Sequence, residues 1–228
     1  RLALEFVRRH DATVPGRAYF IPLASLNSAE LIIPAIADAV QFVFSGPIDP
    51  KEQLFSFLAG QFVEKTIVSL DKMEHLLNPA LGFRSQADAA ALVSEIIEHI
   101  PGVKLMVTSR ERLNLSGEWT YELHGLPIPV PELAHQLEEY SAAALFLQSA
   151  QRVNAGFNPA EDEDERTAVI KICQLLEGIP LAIELAAAWV GTLTCAEIAG
   201  EIETNIDFLA TTMRDVPARH RSLRATFD

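Results

Sequence analysis

Two apolar stretches of the sequence each end on a charged side chain. Residues 66–71 (TIVSLD) end on Asp71, and residues 104–110 (KLMVTSR) end on Arg110. If both stretches are strands of an open parallel sheet, the carboxylate and the guanidinium reach the same carboxyl edge, where such folds bind ligands. An acid beside a fixed arginine suits a magnesium-bound chain of phosphates. The glycine-rich loop with a lysine that would complete such a site does not occur in this sequence.

The elements that must position these two residues alternate between helix and strand signals. They are a helix at the amino end, a strand at 18–24, helices from Ser28 and after Asp49, a strand at 66–70, a helix capped by Ser85 and Asp88, and strands at 104–108 and 119–123. Pro22 restricts the first strand to a sheet edge or an irregular segment. This order predicts a doubly wound α/β domain over residues 1–127.

The character of the sequence changes after Gly125. A proline-rich connector at 126–131 leads to segments with helical periodicity and without strand signals. Four helices are expected, at 140–153, 165–176, 180–190 and 194–203, and Thr194 with Glu197 forms a capping box at the start of the last one. We therefore predict a small helical bundle domain over residues 128–210.

Composition limits the classes of function. A net charge of −13 argues against this segment holding a nucleic-acid backbone by itself. No apolar stretch reaches the roughly 18 residues that a membrane span needs. Cys173 and Cys195 lack the close spacing of a metal or redox pair, and the histidines show no shared metal-ligand spacing. These features predict a cytoplasmic protein with reduced, packed cysteines.

Each candidate residue also has a purely structural interpretation. An aspartate after an apolar strand is often a turn residue or a helix cap, and for Asp71 alone this reading is favoured. Arg110 can equally be a surface charge at a strand end. Gly178, Ile179 and Pro180 by themselves form a helix stop followed by a proline helix start, and taken alone the structural interpretation is preferred.

Four motifs, in order over nearly the whole chain, resemble those of one protein family. They are VSLDKMEHLL at 68–77, VTSRERL at 107–113, GIPLAIELAA at 178–187 and RHRSLRATF at 219–227. Together they resemble the signal-transducing P-loop ATPases of the STAND or NB-ARC type. The most similar branch is the bacterial one, found in large transcriptional regulators with LuxR-like or SARP-like DNA-binding domains.

The resemblance implies a role for each matching residue. Asp71 takes the Walker B role and holds magnesium, and Arg110 takes the sensor role and reads the terminal phosphate of ATP. The segment 211–228 is the start of a winged-helix domain. The family's GxPL motif, with which the helical domain packs against the base and sugar of ADP or ATP, corresponds to Gly178, Ile179, Pro180 and Leu181.

The chain departs from the family pattern in two places. The helix at its amino end corresponds to the one that follows the Walker A motif, so the P-loop NTPase-like sheet is expected to lack its first strand and its phosphate loop. ATP binding and ATPase activity are then expected to be weak or absent in this chain. Relatives carry asparagine or a second acid where Lys72 stands, and a lysine is no general base at neutral pH. Glu74 is the nearest other acid, and we expect it to point elsewhere.

The preferred hypothesis is an ADP/ATP switch segment within a larger transcriptional regulator. Its expected partners are adenine nucleotide with magnesium, a winged helix, an effector DNA-binding domain, sensor repeats and a second copy of the protein, with no membrane and no direct nucleic-acid contact. The alternative is a nucleotide-independent interaction or scaffold module with the same fold. Tight ADP binding that depends on Asp71 distinguishes the two.

Overall fold

The computed structural model describes residues 1–62, 64–77, 86–130, 137–159 and 162–209. Contacts divide the chain into two compact units, Arg1–Thr120 and Tyr121–Asp228. The sequence placed this boundary at 127, but Leu126 already belongs to the second unit, where its N–H donates to the carbonyl of Gly178 at 2.8 Å. The predicted start of a winged helix at 211–228 lies outside the described residues.

The first unit contains a three-stranded parallel sheet, as the sequence predicted for a mixed α/β domain. Its strands β1 (Ala18–Pro22), β2 (Thr66–Asp71) and β3 (Val103–Val107) lie in the order β1-β2-β3. Pro22 ends β1, which is an edge strand, so its missing N–H does not interrupt an inner ladder. The sheet places β2 in the centre, with the end of β3 beside it.

Helices surround the sheet. They are α1 (Leu2–Thr13), α2 (Ile32–Ala39), α3 (Pro50–Gln61), α4 (Glu74–Leu77) and α5 (Gln86–His99). The predicted cap of α3 is confirmed: the Asp49 carboxylate accepts the N–H groups of Lys51 and Glu52 at 2.8 and 3.3 Å, and Pro50 opens the helix. The predicted cap Ser85 lies outside the described residues.

One apolar core holds β2 in place. Val68 and Leu70 point into a cluster of buried side chains contributed by α2, α3 and α5. Full burial of an aliphatic side chain stabilises the fold by about 1.5–3 kcal/mol. The cluster includes fully or almost fully buried Ile36, Leu54, Leu58 and Ile96. The central strand therefore has little freedom, and the residue at its carboxyl end is well positioned.

The predicted strand at 119–123 is wrong. These residues form neither helix nor strand, and the side chains of Trp119, Tyr121 and Leu123 are 98%, 86% and 67% exposed. A strand exists only when a neighbouring strand takes its backbone hydrogen bonds. In the described ranges no such neighbour is present, because β3 pairs with β2 alone. The alternation of apolar residues at 119–123 was therefore not enough to predict a strand.

The second unit is helical, as predicted. Its described residues include α6 (Ser141–Val153), α7 (Glu163–Leu175), α8 (Pro180–Ala187) and α9 (Cys195–Thr204), with α6 packed on α8 and α7 packed on α9. The capping box of α9 is confirmed. Glu197 accepts the N–H of Thr194 at 2.8 Å and Thr194 accepts the N–H of Glu197 at 3.3 Å. Hydrogen bonds from the Thr194 backbone and side chain lower the pKa of Glu197.

Both cysteines lie in the core of the helical unit as free, buried thiols. Burial raises the pKa of the Cys173 thiol to about 12. The pKa of Cys195 is also raised, first by burial and then by the hydrogen bond to Glu165. Because the thiolate is the reactive form, both side chains are chemically inert packing groups.

The helices of the described ranges are short. Among them α5 has 14 residues, whereas a helix that spans a bilayer needs about 20. In the described part of the chain, no helix combines the length and the apolar character that crossing a membrane requires.

Candidate functional site at the carboxyl edge of the sheet

The parallel register brings the carboxyl ends of β2 and β3 together. Leu70 is level with Val107, so the residues that follow them, Asp71 and Thr108, leave the sheet side by side. The Thr108 N–H donates to the carbonyl of Leu70 at 3.0 Å, which continues the ladder by one residue. The Thr108 hydroxyl Oγ1 then donates to Asp71 Oδ1 at 2.7 Å. The predicted carboxylate is thus held at the predicted edge.

Thr108 fixes both the position and the direction of this carboxylate. Its hydroxyl also accepts the N–H of Lys72, at 2.8 Å. Since a backbone N–H can only donate, the hydroxyl proton is directed to Asp71. No sequence motif had indicated a role for Thr108. The available signal was a hydroxyl residue directly after an apolar strand, at the edge where parallel sheets bind ligands.

Lys72 turns the chain immediately after Asp71 through a left-handed backbone conformation, with φ of +65°. A residue with a β-carbon loses roughly 1–2 kcal/mol in this region, and asparagine or glycine tolerates it best. The resemblance implies asparagine or a second acid at this position. The turn at Lys72 is held by the bond to Thr108 and by the Met73 N–H, which donates to the Thr108 carbonyl at 2.9 Å.

Glu74 lies beside Arg110, contrary to the expectation that it points elsewhere. Its Oε1 is 3.9 Å from Arg110 Nε, and the two side chains are 24% and 55% exposed. The left-handed turn at Lys72 brings α4 back towards the end of β3, and Glu74 is the first residue of that helix. The edge therefore presents two acids and one arginine.

His75 anchors α4 from its other side. Its Nε2 is 3.0 Å from the carbonyl oxygen of Leu26, in the loop that follows β1. The ring is half-buried. The histidine next to the candidate site therefore has a structural contact that ties α4 to the other edge strand.

The Gly178 motif lies in the second unit, whereas Asp71 and Arg110 lie in the first. Gly178 has φ of +68°, and a β-carbon there would stand 2.2 Å from the carbonyl oxygen of Leu126. The Gly178 carbonyl accepts the Leu126 N–H. A β-carbon on Gly125 would likewise stand 1.9 Å from the carbonyl oxygen of Glu177. Two backbone segments cross here with no room for side chains.

The remaining residues of this motif begin α8. Ile179 is its N-cap and Pro180 opens the helix at its first turn. Ile179 and Leu181 pack against the core of the helical unit, and Pro180 is exposed. The helix-stop and helix-start geometry expected on structural grounds is present at these four residues.

A cleft of about 640 Å³ lies at the opposite, amino end of the sheet. It is lined by His10, Arg17, Glu64 and Lys65, among others. Arg17 forms an ion pair with Glu64, which lowers the pKa of the glutamate through the hydrogen bond and the nearby charge. The cleft is open to solvent and is remote from Asp71 along β2, so we assign the candidate site to the carboxyl edge.

The described residues hold no group of three or more histidine, cysteine or acidic side chains arranged to bind a metal. Magnesium does not need such a group, because it is commonly held by one or two carboxylates together with water and ligand phosphates. Asp71, with Oδ1 fixed by Thr108, offers an oxygen donor of the right kind.

The chain has recognisable relatives among bacterial proteins. It is 32% identical to a provisionally named HTH-type transcriptional regulator of Mycobacterium tuberculosis strain H37Rv and to a protein of the same description in Mycobacterium bovis. Each match extends over 209 residues, which is 92% of this chain. The chain spans only 21% of the length of those proteins. It is also 30% identical, over 79% of its length, to an uncharacterized protein of M. tuberculosis, of which it covers 41%. No family model and no solved structure matches the chain.

Proposed function

We propose that this chain is the nucleotide-binding and helical segment of a STAND-type switch that responds to ADP and ATP within a transcriptional regulator. The observation that carries the proposal is the carboxyl edge of the sheet. Asp71 is fixed there by Thr108, with Arg110 two residues beyond that threonine. An acid and an arginine at the carboxyl edge of a parallel sheet are compatible with a magnesium-bound phosphate chain, and this supports the proposal.

The chemistry of the edge fits magnesium and phosphate. Asp71 supplies a hard oxygen donor for the metal, which when bound neutralises phosphate charge. Arg110 supplies planar N–H donors for a terminal phosphate oxygen. A phosphate loop is the further part that tight binding requires. The proposal therefore concerns this chain together with that loop.

The similarity to provisionally named HTH-type regulators supports the regulatory part of the proposal. The matching region covers about a fifth of those proteins. The net charge of −13 makes the present segment a poor ligand for DNA. We therefore propose that DNA binding resides in another domain and that this segment controls it by changing its nucleotide state.

A second candidate is a nucleotide-independent scaffold of the same fold. Lys72 is the observation in its favour, because it places a cation in a left-handed turn directly after Asp71. The family that the motifs resemble usually carries asparagine or a second acid at this position. On this hypothesis the edge is held together by hydrogen bonds and ion pairs alone, and Asp71 acts as a structural acceptor for Thr108.

The first experiment is to read the coding sequence upstream of Arg1 and to express the protein from the start of its own reading frame. Binding of MgADP is then measured by isothermal titration calorimetry for the wild type, for Asp71→Ala and for Asp38→Ala, a control at an exposed aspartate near the end of α2. If the proposal is right, the upstream sequence contains Gly-x-x-x-x-Gly-Lys-Thr and the wild type binds MgADP tightly. Asp71→Ala should then lose at least about tenfold in MgADP affinity, whereas Asp38→Ala should bind like the wild type. Equal binding by the wild type and Asp71→Ala, or no binding by either, would favour the scaffold.

A further inference from the structure

The Glu74 carboxylate lies next to the Arg110 guanidinium, so a ligand phosphate brought to Arg110 would meet its negative charge. Its Oε1 lies 3.9 Å from Arg110 Nε at the carboxyl edge of the sheet. A carboxylate and a phosphate oxygen bind the same N–H donors of a guanidinium. A terminal phosphate that reaches Arg110 would therefore lie near the Glu74 carboxylate, whose charge repels it.

Contacts of the residues before and after Glu74 hold the chain in this position. On one side, the Met73 N–H donates to the carbonyl of Thr108. On the other, the His75 ring contacts the carbonyl of Leu26. Glu74 thus cannot leave Arg110 by a shift of α4 unless both contacts break. The Glu74 carboxylate can move away from Arg110 by rotation of its side chain.

The ion pair is easy to open. At 3.9 Å it is longer than a direct hydrogen bond, and more than half of the Arg110 side chain is exposed. Exposed pairs of this kind contribute at most about 1 kcal/mol. Glu74 is therefore a weak competitor that modifies the affinity for a phosphate without blocking the site.

We propose that Glu74 sets the preference of this site for a nucleoside diphosphate over a triphosphate. The proposal rests on the nucleotide-switch function proposed above. A diphosphate ends before Arg110 and leaves the pair with Glu74 intact. In the role proposed for Arg110, a triphosphate places its terminal phosphate there, and the nearby Glu74 carboxylate repels this additional negative charge. Glu74 therefore weakens triphosphate binding and leaves diphosphate binding almost unaffected.

The test compares Glu74→Gln with the wild-type protein expressed from the start of its reading frame. Glu111→Gln is a matched control, because it removes a neighbouring negative charge from a residue with no described ion pair to Arg110. Calorimetry gives the dissociation constants of MgADP and of the non-hydrolysable triphosphate MgAMPPNP. Thermal unfolding of each variant confirms that the fold is retained.

We expect Glu74→Gln to bind MgAMPPNP about fivefold more tightly than the wild type, while MgADP affinity changes by less than about twofold. Glu111→Gln should not change the dissociation constant of one nucleotide more than that of the other. An equal change for both nucleotides, or no change, would overturn the role of Glu74 while leaving the switch intact. Absence of nucleotide binding in the wild type would overturn the switch itself.

Discussion

The sheet edge at Asp71 and the backbone crossing at Gly178 are built in opposite ways. At the sheet edge, polar side chains are partly exposed, and hydrogen bonds between neighbouring strand ends hold them in place. At the crossing in the second unit, glycines allow two backbones to approach so closely that a β-carbon would overlap a carbonyl oxygen. Both regions belong to motifs that suggested a function.

This difference separates side chains that can change partners from backbone that is fixed by close packing. The acids and the arginine at the edge can change partners, because their contacts lie at the surface and are individually weak. The crossing at Gly178 has no such freedom, because backbone atoms fill the space. Substitutions at the edge should mainly alter ligand binding, whereas substitutions at the crossing should mainly alter stability.

The largest effect is expected for Gly178→Ala. The new β-carbon overlaps the Leu126 carbonyl and also disfavours the left-handed backbone, so the free energy of unfolding should fall by about 2–4 kcal/mol. Chemical denaturation, monitored by circular dichroism, measures this free energy of unfolding. The control is Gly200→Ala in α9, where the added methyl group meets open space and should stabilise by about 0.5–1 kcal/mol. Similar stabilities for the two variants would contradict the comparison.

An intermediate effect is expected for Thr108→Val. The change keeps the shape of the side chain but removes the donor to Asp71 and the acceptor of the Lys72 N–H, at a cost of about 1–2 kcal/mol. Affinity for magnesium-bound nucleotide should fall as well, because Asp71 is no longer oriented. Thr108→Ser should restore that affinity.

The matched control is Thr66→Val, at the amino end of β2, where the hydroxyl donates to the carbonyl of Glu64. It should reduce stability without changing the nucleotide affinity. If the two valine variants reduced that affinity equally, Thr108 would act through the stability of the sheet and not through Asp71.

The smallest effect on stability is expected for Lys72→Gly, which should stabilise the fold. Glycine relieves the strain of the left-handed turn but makes the unfolded chain more flexible, so a net gain of about 0.5 kcal/mol is expected. Lys65→Gly is the comparison, because Lys65 lies outside the positive-φ region and its replacement should destabilise the fold. A loss of stability at both positions would indicate that the Lys72 side chain makes a stabilising contact.

The amino-acid sequence by itself determined the features whose causes are local. The cap at Asp49 and the capping box of Thr194 with Glu197 join residues two or three positions apart, so their spacing was sufficient to predict them. Helices α6 to α9 followed from apolar periodicity. Asp71 and Arg110 were found because apolar runs mark buried parallel strands, whose carboxyl ends meet at one edge.

Tertiary structure alone decided which side chains meet. Thr108 orients Asp71 across 37 positions of sequence, and Glu74 meets Arg110 only because the left-handed turn at Lys72 redirects α4. The segment at 119–123 has the pattern of a strand but finds no described partner for its backbone. Periodicity reports which face of an element is apolar, whereas pairing depends on the register of distant segments, which a single sequence does not specify.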